Sequence, residues 1–599
     1  MASGITGIQY GSIEILHQPG RRNFLSDISS SIQNQLKKKY QYELTNHNKQ
    51  LKYRGLCLSR PMAAAEVLDD QEDNTTLMTS VKAHDSNFLG AISFSFGNQA
   101  PFKFTTSLLI FSSFMFLLVK SSEKTKVPAR KYENLPPSPP KLPLIGHLHH
   151  LLGGLPHHTL ARVTEKFGPV VHLQIGEIST VVISSPEAAK EVLKVRDTAC
   201  ANRPQSISIE IMLYNYADFV FAPYDEFWRQ MRKICIMEML SARNVKSYGS
   251  IRQDEVLHLI KSLQSASGRA INLSEKIFAT TSSIVCRVAF GKVLRDRDTL
   301  IDLMKKGISL AAGFELVDVF PSFKMLHAVS WNRNKLLKMH KELDAILDTI
   351  VEGHKLKENG EYGGEDIVDV LLRMKESGEL KFPITNENIK AVIFDVFAAA
   401  TDTSSSTVDW AMAELVKNPN AYAKAQAEVR QAFTREEIVD AERHLHKLNY
   451  LKLVIKETLR LHPPVPLLPR ASREECEVNG YSIPLNSKVL VNIWSMGRDP
   501  KYWDEPESFR PERFENNNIE FFGNNFEYIP FGSGKRICPG ISFGMANVEL
   551  PLAHLLYHFD WKLPEGMTTA DVDLTEAYGL AVIRKNALVV EPTSYNPST

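Results

Sequence analysis

One cysteine stands in a loop whose residues could hold a metal-bound cofactor. Cys538 lies in residues 531–540 (FGSGKRICPG), just before an apolar stretch. The three glycines of this loop allow the main chain to lie close against a flat ligand, and Pro539 restricts the backbone directly after the sulfur. Amide N–H groups, a metal ion and the start of a following helix would each favour the thiolate over the thiol. The loop therefore predicts a thiolate ligand for haem iron.

A cation in the same loop supports this prediction. Arg536 lies two residues before the cysteine, and its guanidinium group is suited to pairing with a carboxylate such as a haem propionate. The alternative for Cys538 alone is a small buried hydrophobic side chain in a glycine-rich turn, which is the common state of a free cysteine. The ten-residue pattern as a whole favours the metal ligand over this alternative.

The loop resembles the haem-binding segment of the cytochrome P-450 family, Phe-x-x-Gly-x-Arg-x-Cys-x-Gly. It matches that pattern at Phe531, Gly534, Arg536, Cys538 and Gly540. The resemblance implies that Cys538 is the axial ligand of haem b and that its thiolate favours O–O bond cleavage. It also implies the cytochrome P-450 fold, a single large domain that is mainly α with a small β-rich part.

Further cations match the same family. Trp228 and Arg232 are four residues apart, so a helix would place them on one face. They match the family's Trp-x-x-x-Arg motif, whose side chains are directed to a haem propionate, and by the same resemblance Arg470 is a further propionate partner. Asp225 stands where relatives usually have glycine, which leaves the conformation of the turn before Trp228 open.

An acid and a hydroxyl follow an apolar run in the second half of the chain. A buried carboxylate such as Asp402 is costly without partners, and the alternative is a helix that ends in the polar residues after Thr403. The segment resembles the family's oxygen-activating helix, which implies that Asp402 and Thr403 relay protons through water. Ala400 replaces the glycine of that motif, so we expect a narrower groove, a helix that opens less easily, and slower or more selective chemistry.

A glutamate and two arginines match the family's structural motifs. Glu457 and Arg460 are three residues apart on a predicted helix, where an exposed pair would contribute little. The resemblance adds Arg513 and implies a buried triad that supports the cysteine loop. It also implies a substrate cavity lined by Ile207, Leu213, Ala399, Ala400, Val465 and Leu467.

Composition excludes several classes of protein. A net charge of +1 over 599 residues argues against a dedicated nucleic-acid binder. The six cysteines are far apart without a Cys-x-x-Cys pair, so zinc sites and disulfide scaffolds have no support and a reducing compartment fits best. The chain contains no Gly-x-Gly-x-x-Gly motif for a nicotinamide or flavin nucleotide. Electrons must therefore come from elsewhere, and the resemblance implies that NADPH supplies them through a separate reductase.

The first part of the chain differs from the rest. Residues 1–103 are polar without sustained apolar periodicity, which predicts a disordered extension, either transit-like or an artefact of a wrongly joined start. Residues 104–119 carry no charge and would span about 24 Å as a helix, so they predict a membrane anchor. The alternatives are a buried helix and the core of a signal peptide. Residues 120–143 form a basic, proline-rich linker, and the basic flank predicts that the haem domain, residues 144–599, faces the cytosol.

Together these features predict a haem-thiolate monooxygenase that inserts one O₂-derived oxygen atom into a small hydrophobic substrate. The chain resembles plant microsomal terpenoid and alkaloid hydroxylases, above all those of sesqui- and diterpenes. This implies a terpenoid substrate, an NADPH-cytochrome P-450 reductase as partner, docked near Lys233 and Lys535, and the endoplasmic reticulum membrane rather than a plastid. One alternative is a haem-thiolate isomerase or dehydratase without O₂, against which the Asp402–Thr403 pair argues. Another is a non-catalytic haem- or lipid-binding protein, against which Cys538 and Arg536 argue.

Overall fold

A computed structural model describes residues 134–596, except 152, 311–315, 324–330, 357–364, 435 and 578–580. The chain divides into two units, Met1–Phe104 and Thr105–Thr599, and all described residues belong to the second. The predicted extension, residues 1–103, the predicted anchor, residues 104–119, and the basic part of the linker lie outside the described residues. No helix in the described ranges is both long and apolar enough to cross a membrane.

The described part of the chain is mainly α-helical, as predicted. Its α-helices are α1 (Pro156–Phe167), α2 (Pro186–Lys190), α3 (Ile207–Met212), α4 (Glu226–Ile234), α5 (Ala242–Ser247), α6 (Gly249–Gln264), α7 (Leu273–Phe290), α8 (Arg297–Leu310), α9 (Leu316–Val319), α10 (Trp331–Lys355), α11 (Ile367–Glu376), α12 (Asn386–Lys417), α13 (Pro419–Ala432), α14 (Asn449–Leu461), α15 (Ile493–Met496) and α16 (Ile541–His558).

Helix α12 runs through the centre of the domain. It begins at a capping box: the Thr385 side chain accepts a hydrogen bond from the amide of Asn388, and the Asn388 side chain accepts one from the amide of Thr385. The helix ends before Pro419. It packs against α7, α14 and α16. Residues 389–397 belong to one apolar core cluster and residues 408–415 to a second. Between the two clusters, residues 398–400, 402 and 403 of α12 are exposed or half-buried, whereas Thr401 and residues 404–407 are buried.

The β-structure of the described residues is small and lies in four sheets. The strands are β1 (Val170–Ile175), β2 (Ile178–Ile183), β3 (Ile271–Asn272), β4 (Leu467–Ala471), β5 (Cys476–Val478), β6 (Tyr481–Ile483), β7 (Lys488–Asn492), β8 (Phe559–Lys562), β9 (Glu576–Ala577), β10 (Ile583–Arg584) and β11 (Val589–Ser594). The largest sheet has the order β1-β2-β7-β4, in which only the β2–β7 pair is parallel. A second sheet has the order β3-β11-β8, and β5–β6 and β9–β10 form two hairpins.

Strand β4 carries Arg470, one of the predicted site residues. Its antiparallel pairing with β7 places Arg470 opposite Val489, and the side chain of Arg470 is fully buried. The isolated bridge between Asn202 and Ala471 joins the segment before α3 to the end of β4. The sheet thus brings residues near positions 200 and 470 together, and the cysteine loop before α16 lies against them.

Candidate active site

The cysteine loop has a backbone shape that only glycine can provide at one position. Gly534 has φ +71°, and a Cβ there would lie 2.0 Å from the carbonyl oxygen of Leu193. The amide of Lys535 donates to Asp197 Oδ2 at 2.7 Å, and the amide of Cys538 donates to the carbonyl oxygen of Phe531 at 3.0 Å. These contacts hold the loop as a closed turn directly before α16.

The surroundings of the Cys538 sulfur act in opposite directions on its charge. Burial raises the pKa of the Cys538 thiol, whereas a hydrogen bond from the Gly540 amide and the charge of Arg232 lower it. Arg232 lies beside the loop and donates to the carbonyl oxygen of Ile537. A metal cation at the sulfur would add its own attraction for the thiolate, so these residues fit a thiolate ligand.

Arg536 and Trp228 form the next part of the site. The Arg536 guanidinium lies 4.2 Å from the Trp228 ring centroid, and its Nε donates to the carbonyl oxygen of Ala201 at 2.8 Å. Trp228 Nε1 donates to the carbonyl oxygen of Phe219 at 2.8 Å. Arg232 lies 5.4 Å from the same ring. The predicted propionate partners Trp228, Arg232 and Arg536 are thus brought together.

Arg470 adds a buried cation with a free hydrogen-bond donor. Its Nη2 donates to the carbonyl oxygen of Ser533 at 3.2 Å, while its Nε is buried without a partner among the described residues. Burial and the charge of Arg536 lower the pKa of Arg470 to about 10. An anionic ligand would pair with this buried positive charge and accept a hydrogen bond from the free N–H group. The site therefore fits the propionates of haem.

The prediction from sequence missed a fourth cation, Arg203. Its Nε donates to the carbonyl oxygen of Val220 at 3.1 Å and its Nη1 to that of Pro469. Burial lowers the pKa of Arg203, and the charges of Arg470 and Arg232 act in the same direction. The one signal in the sequence is an arginine directly before Pro204, and a pattern of two residues is too short to identify the contact. We call Arg203, Arg232, Arg470 and Arg536 the arginine cluster.

Asp402 and Thr403 lie on the least covered part of α12. Ala399 is exposed and its neighbours Ala398 and Ala400 are half-buried, although Phe397 and Thr401 on either side are buried, so α12 borders an open space here. Thr403 Oγ1 donates to the carbonyl oxygen of Ala399 at 2.7 Å. Burial raises the pKa of Asp402, and the charge of Lys305 opposes this shift.

The helix is continuous past the alanine that replaces the motif's glycine. α12 keeps its helical course from Asn386 to Lys417, and Ala400 lies within it. The other predicted cavity residues differ in position. Val465 and Leu467 are half-buried at the sheet, Ile207 is nearly buried at the start of α3, and Leu213 is enclosed in the apolar core with 1% of its surface exposed.

The three residues of the predicted structural triad lie together. Glu457 is fully buried and binds Arg460 through two hydrogen bonds of 2.8 Å. It also accepts from Arg513 Nε and from the amide of Arg510, each at 2.8 Å. The carboxylate therefore joins α14 to residues 510–513.

Two details of the site could not be read from sequence motifs. Asp225 has an extended backbone and caps α4, because its side chain accepts from the amide of Trp228 at 2.8 Å; glycine is therefore not required at this turn. Asp218 and Asp395 are buried carboxyl groups that accept from amides of the same loop, beside the arginine cluster. The only signal for Asp395 was a single acid in the apolar run of α12.

Comparisons with known proteins agree with this geometry. The family profile described as Cytochrome P450 matches residues 136–590. Premnaspirodiene oxygenase of Hyoscyamus muticus is 55% identical over 498 residues, which are 82% of this chain and 98% of that protein. 5-Epiaristolochene 1,3-dihydroxylase of Nicotiana tabacum is 53% identical over 500 residues, with the same coverage of both proteins. A zebrafish cytochrome P450 structure with abiraterone has a TM-score of 0.62 at 24% identity and covers 74% of this chain and 99% of that one.

Proposed function

This chain belongs to the cytochrome P450 family and is a monooxygenase with haem b as its cofactor, and we propose that it hydroxylates a terpenoid of plant specialised metabolism. The observation that carries the proposal is the cysteine loop of a P450 in a chain 55% identical to premnaspirodiene oxygenase. The apolar, open side of α12 at Ala399 and Ala400 supports a substrate that presents C–H bonds rather than charged groups.

The residues of the site have separate roles in the proposed reaction. Cys538 would ligate the iron, and the arginine cluster with Trp228 would hold the propionates. When bound, haem b supplies the chemistry that activates O₂ with electrons from NADPH. The Thr403 hydroxyl donates its hydrogen bond to the carbonyl oxygen of Ala399. The lone pairs of Thr403 Oγ1 can therefore accept a hydrogen bond from water in the open space.

Asp402 is the proposed source of the protons that this water carries. Because its pKa is raised by burial, its carboxyl group keeps a proton at a higher pH than an ordinary aspartate does. It follows Thr401 and precedes Thr403 on α12, so acid and hydroxyl share one turn of helix. This arrangement supports general acid catalysis at the open side of α12.

The proposal extends to the membrane and to the electron donor. We place the enzyme at the endoplasmic reticulum, held by an anchor at residues 104–119 and a linker at residues 120–143, with the extension 1–103 outside the catalytic domain 144–599. Lys233 and Lys535 are exposed beside the cysteine loop and support docking of an acidic reductase surface. Fractionation of cells that express the full chain, with and without residues 104–119, tests the anchor: the full chain should sediment with membranes and resist extraction by high salt.

The test of the catalytic proposal begins with the iron ligand. The dithionite-reduced, CO-bound wild type should show a long-wavelength Soret band that Cys538→Ser abolishes. Cys286→Ser is the matched control, because Cys286 is a buried free thiol on α7, and it should keep the band. A wild type that binds haem but shows only the short-wavelength band would contradict thiolate ligation.

The second stage identifies the substrate class. The full chain with an NADPH-dependent reductase is incubated under ¹⁸O₂ with bicyclic sesquiterpene hydrocarbons, and the products are analysed by mass spectrometry. We expect an alcohol that carries one ¹⁸O atom. Oxidation of fatty acids or aromatic amines in place of terpenes would refute the substrate assignment without affecting the P450 chemistry.

A further inference from the structure

Two carboxyl groups that the reaction does not use lie buried against each other beside the cofactor site. Asp395 on α12 is 4% exposed, and Asp218, in the loop before α4, is fully buried. Both carboxyl groups accept from amides of the same loop, Asp395 from Phe219 and Asp218 from Phe221, and the charge of Asp218 raises the pKa of Asp395. The nearest guanidinium groups do not pair with them, since Arg203 and Arg536 donate to backbone carbonyl oxygens instead.

The hydrogen bonds around this pair leave one carboxylate oxygen without a donor. Asp395 Oδ2 accepts from the amides of Phe219 and Val220 at 3.0 and 3.2 Å, and Asp218 Oδ2 accepts from the amide of Phe221. Asp218 Oδ1 is buried without a donor among the described residues. Two ionised carboxylates would repel each other and leave that oxygen unsatisfied, whereas a protonated Asp395 can donate to it.

The loop that the two carboxyl groups hold is the same loop that holds the arginine cluster. The carbonyl oxygen of Phe219 accepts from Trp228 Nε1 at 2.8 Å. That of Val220 accepts from Arg203 Nε at 3.1 Å and from Arg536 Nη1 at 3.3 Å. Residues 218–222 therefore turn their amides to the carboxyl pair and their carbonyl oxygens to the cations that face the cofactor.

We propose that Asp395 and Asp218 share one proton, and that this neutral-acid and carboxylate pair positions residues 218–222 so that their carbonyl oxygens hold the arginine cluster and Trp228. The pair thereby connects α12, which carries Asp402 and Thr403, to the residues that bind the haem propionates. It is a positioning device that contacts neither substrate nor iron, and it is independent of which substrate the enzyme takes.

The protonation of the pair gives the stability of the fold a defined pH dependence. Burial raises the pKa of Asp218 to about 6, and burial together with the charge of Asp218 raises the pKa of Asp395 well above its usual value. The titratable and charged groups that face the pair are Arg203, Tyr216, Cys235 and Arg536. A raised folded-state pKa means that the native state binds more protons than the unfolded state, so the contribution of the pair to stability falls as pH rises.

Three variants of the haem-loaded full chain test the proposal. Asp395→Asn keeps an acceptor for the two amides and an N–H donor for Asp218, so it imitates the protonated acid. Asp395→Ala removes both functions. Asp409→Asn is the matched control on the same helix, because buried Asp409 is paired with Arg584 at 2.9 Å and its substitution removes the counter-charge of that cation.

The measurements are thermal midpoints from about pH 5 to about pH 8, amide exchange at Phe219 and Val220, and the rate of haem transfer to an acceptor protein. We expect Asp395→Asn to have the same thermal midpoint as the wild type near pH 5 and to retain haem. As pH rises, the midpoint of Asp395→Asn should fall less than that of the wild type. Asp395→Ala should exchange both amides faster and release haem about tenfold faster, since an unsatisfied buried group costs roughly the equivalent of a tenfold change in an equilibrium constant. Asp409→Asn should be destabilised throughout.

Infrared spectroscopy reports the proton itself. The wild type should show a buried carboxylic-acid C=O stretch at neutral pH that shifts in D₂O and is missing in Asp395→Asn. The proposal is overturned if Asp395→Asn is as unstable as Asp395→Ala near pH 5, because Asp395 would then be needed as a carboxylate. It is also overturned if the pH dependence of the Asp395→Asn midpoint equals that of the wild type.

Discussion

Substitution of the buried glutamate of the structural triad should destabilise the protein strongly. Glu457 is fully buried and accepts four hydrogen bonds, three from the guanidinium groups of Arg460 and Arg513 and one from the amide of Arg510. Glu457→Gln preserves the shape but removes the negative charge and turns an NH₂ group toward guanidinium donors. Two cations then lose their buried counter-charge.

The size of the destabilisation depends on which hydrogen bonds the two arginines retain. Breaking a buried ion pair by removing one partner costs about 3–5 kcal/mol. Arg460 retains hydrogen bonds to the carbonyl oxygens of Gly497, Pro506 and Ser508, which continue to solvate its charge. We therefore expect a loss near the lower end, about 3 kcal/mol in the free energy of unfolding.

The assay is urea-induced unfolding of the haem-loaded protein, followed by tryptophan fluorescence. Trp503 is a local reporter, because Arg460 lies 5.3 Å from its ring centroid. Glu342→Gln is the matched control: Glu342 and Lys338 form an exposed helical pair at 3.9 Å, whose loss should cost at most about 0.5 kcal/mol. A loss of less than about 1 kcal/mol for Glu457→Gln, or a loss equal to that of the control, would refute the reasoning.

Three further predictions concern the site. Gly534→Ala would force a left-handed alanine, which costs about 1–2 kcal/mol before its Cβ meets the Leu193 carbonyl oxygen at 2.0 Å, so the purified variant should contain little haem by absorbance. Ala400→Gly should lower the free energy of unfolding by about 1 kcal/mol and raise the turnover of bulkier substrates. Measurement of kcat and KM tests this, and unchanged kinetics would contradict the idea that the Ala400 methyl group narrows the groove. Because burial raises the pKa of Asp402, product yield per NADPH should fall as pH rises through that pKa, and Asp402→Asn should have a low yield without this dependence.

Local patterns in the sequence were sufficient for several parts of the site. The spacing of Trp228 and Arg232 places both on one face of α4 because a helix repeats every 3.6 residues. The glycine at position 534 was recognisable because its left-handed backbone is a local property of the chain. The apolar run before Asp402, which became part of α12, is likewise a short-range signal.

Sequence therefore determined the family, the cysteine loop and the helical positions of the motif residues, because each depends on neighbours along the chain. Tertiary structure alone decided that Arg203 joins the arginine cluster. It also decided that Asp395 binds the amide of Phe219, 176 positions away. Contacts of this kind depend on how α12, β4 and the loop before α4 pack together, and no periodicity or spacing in the chain records that packing.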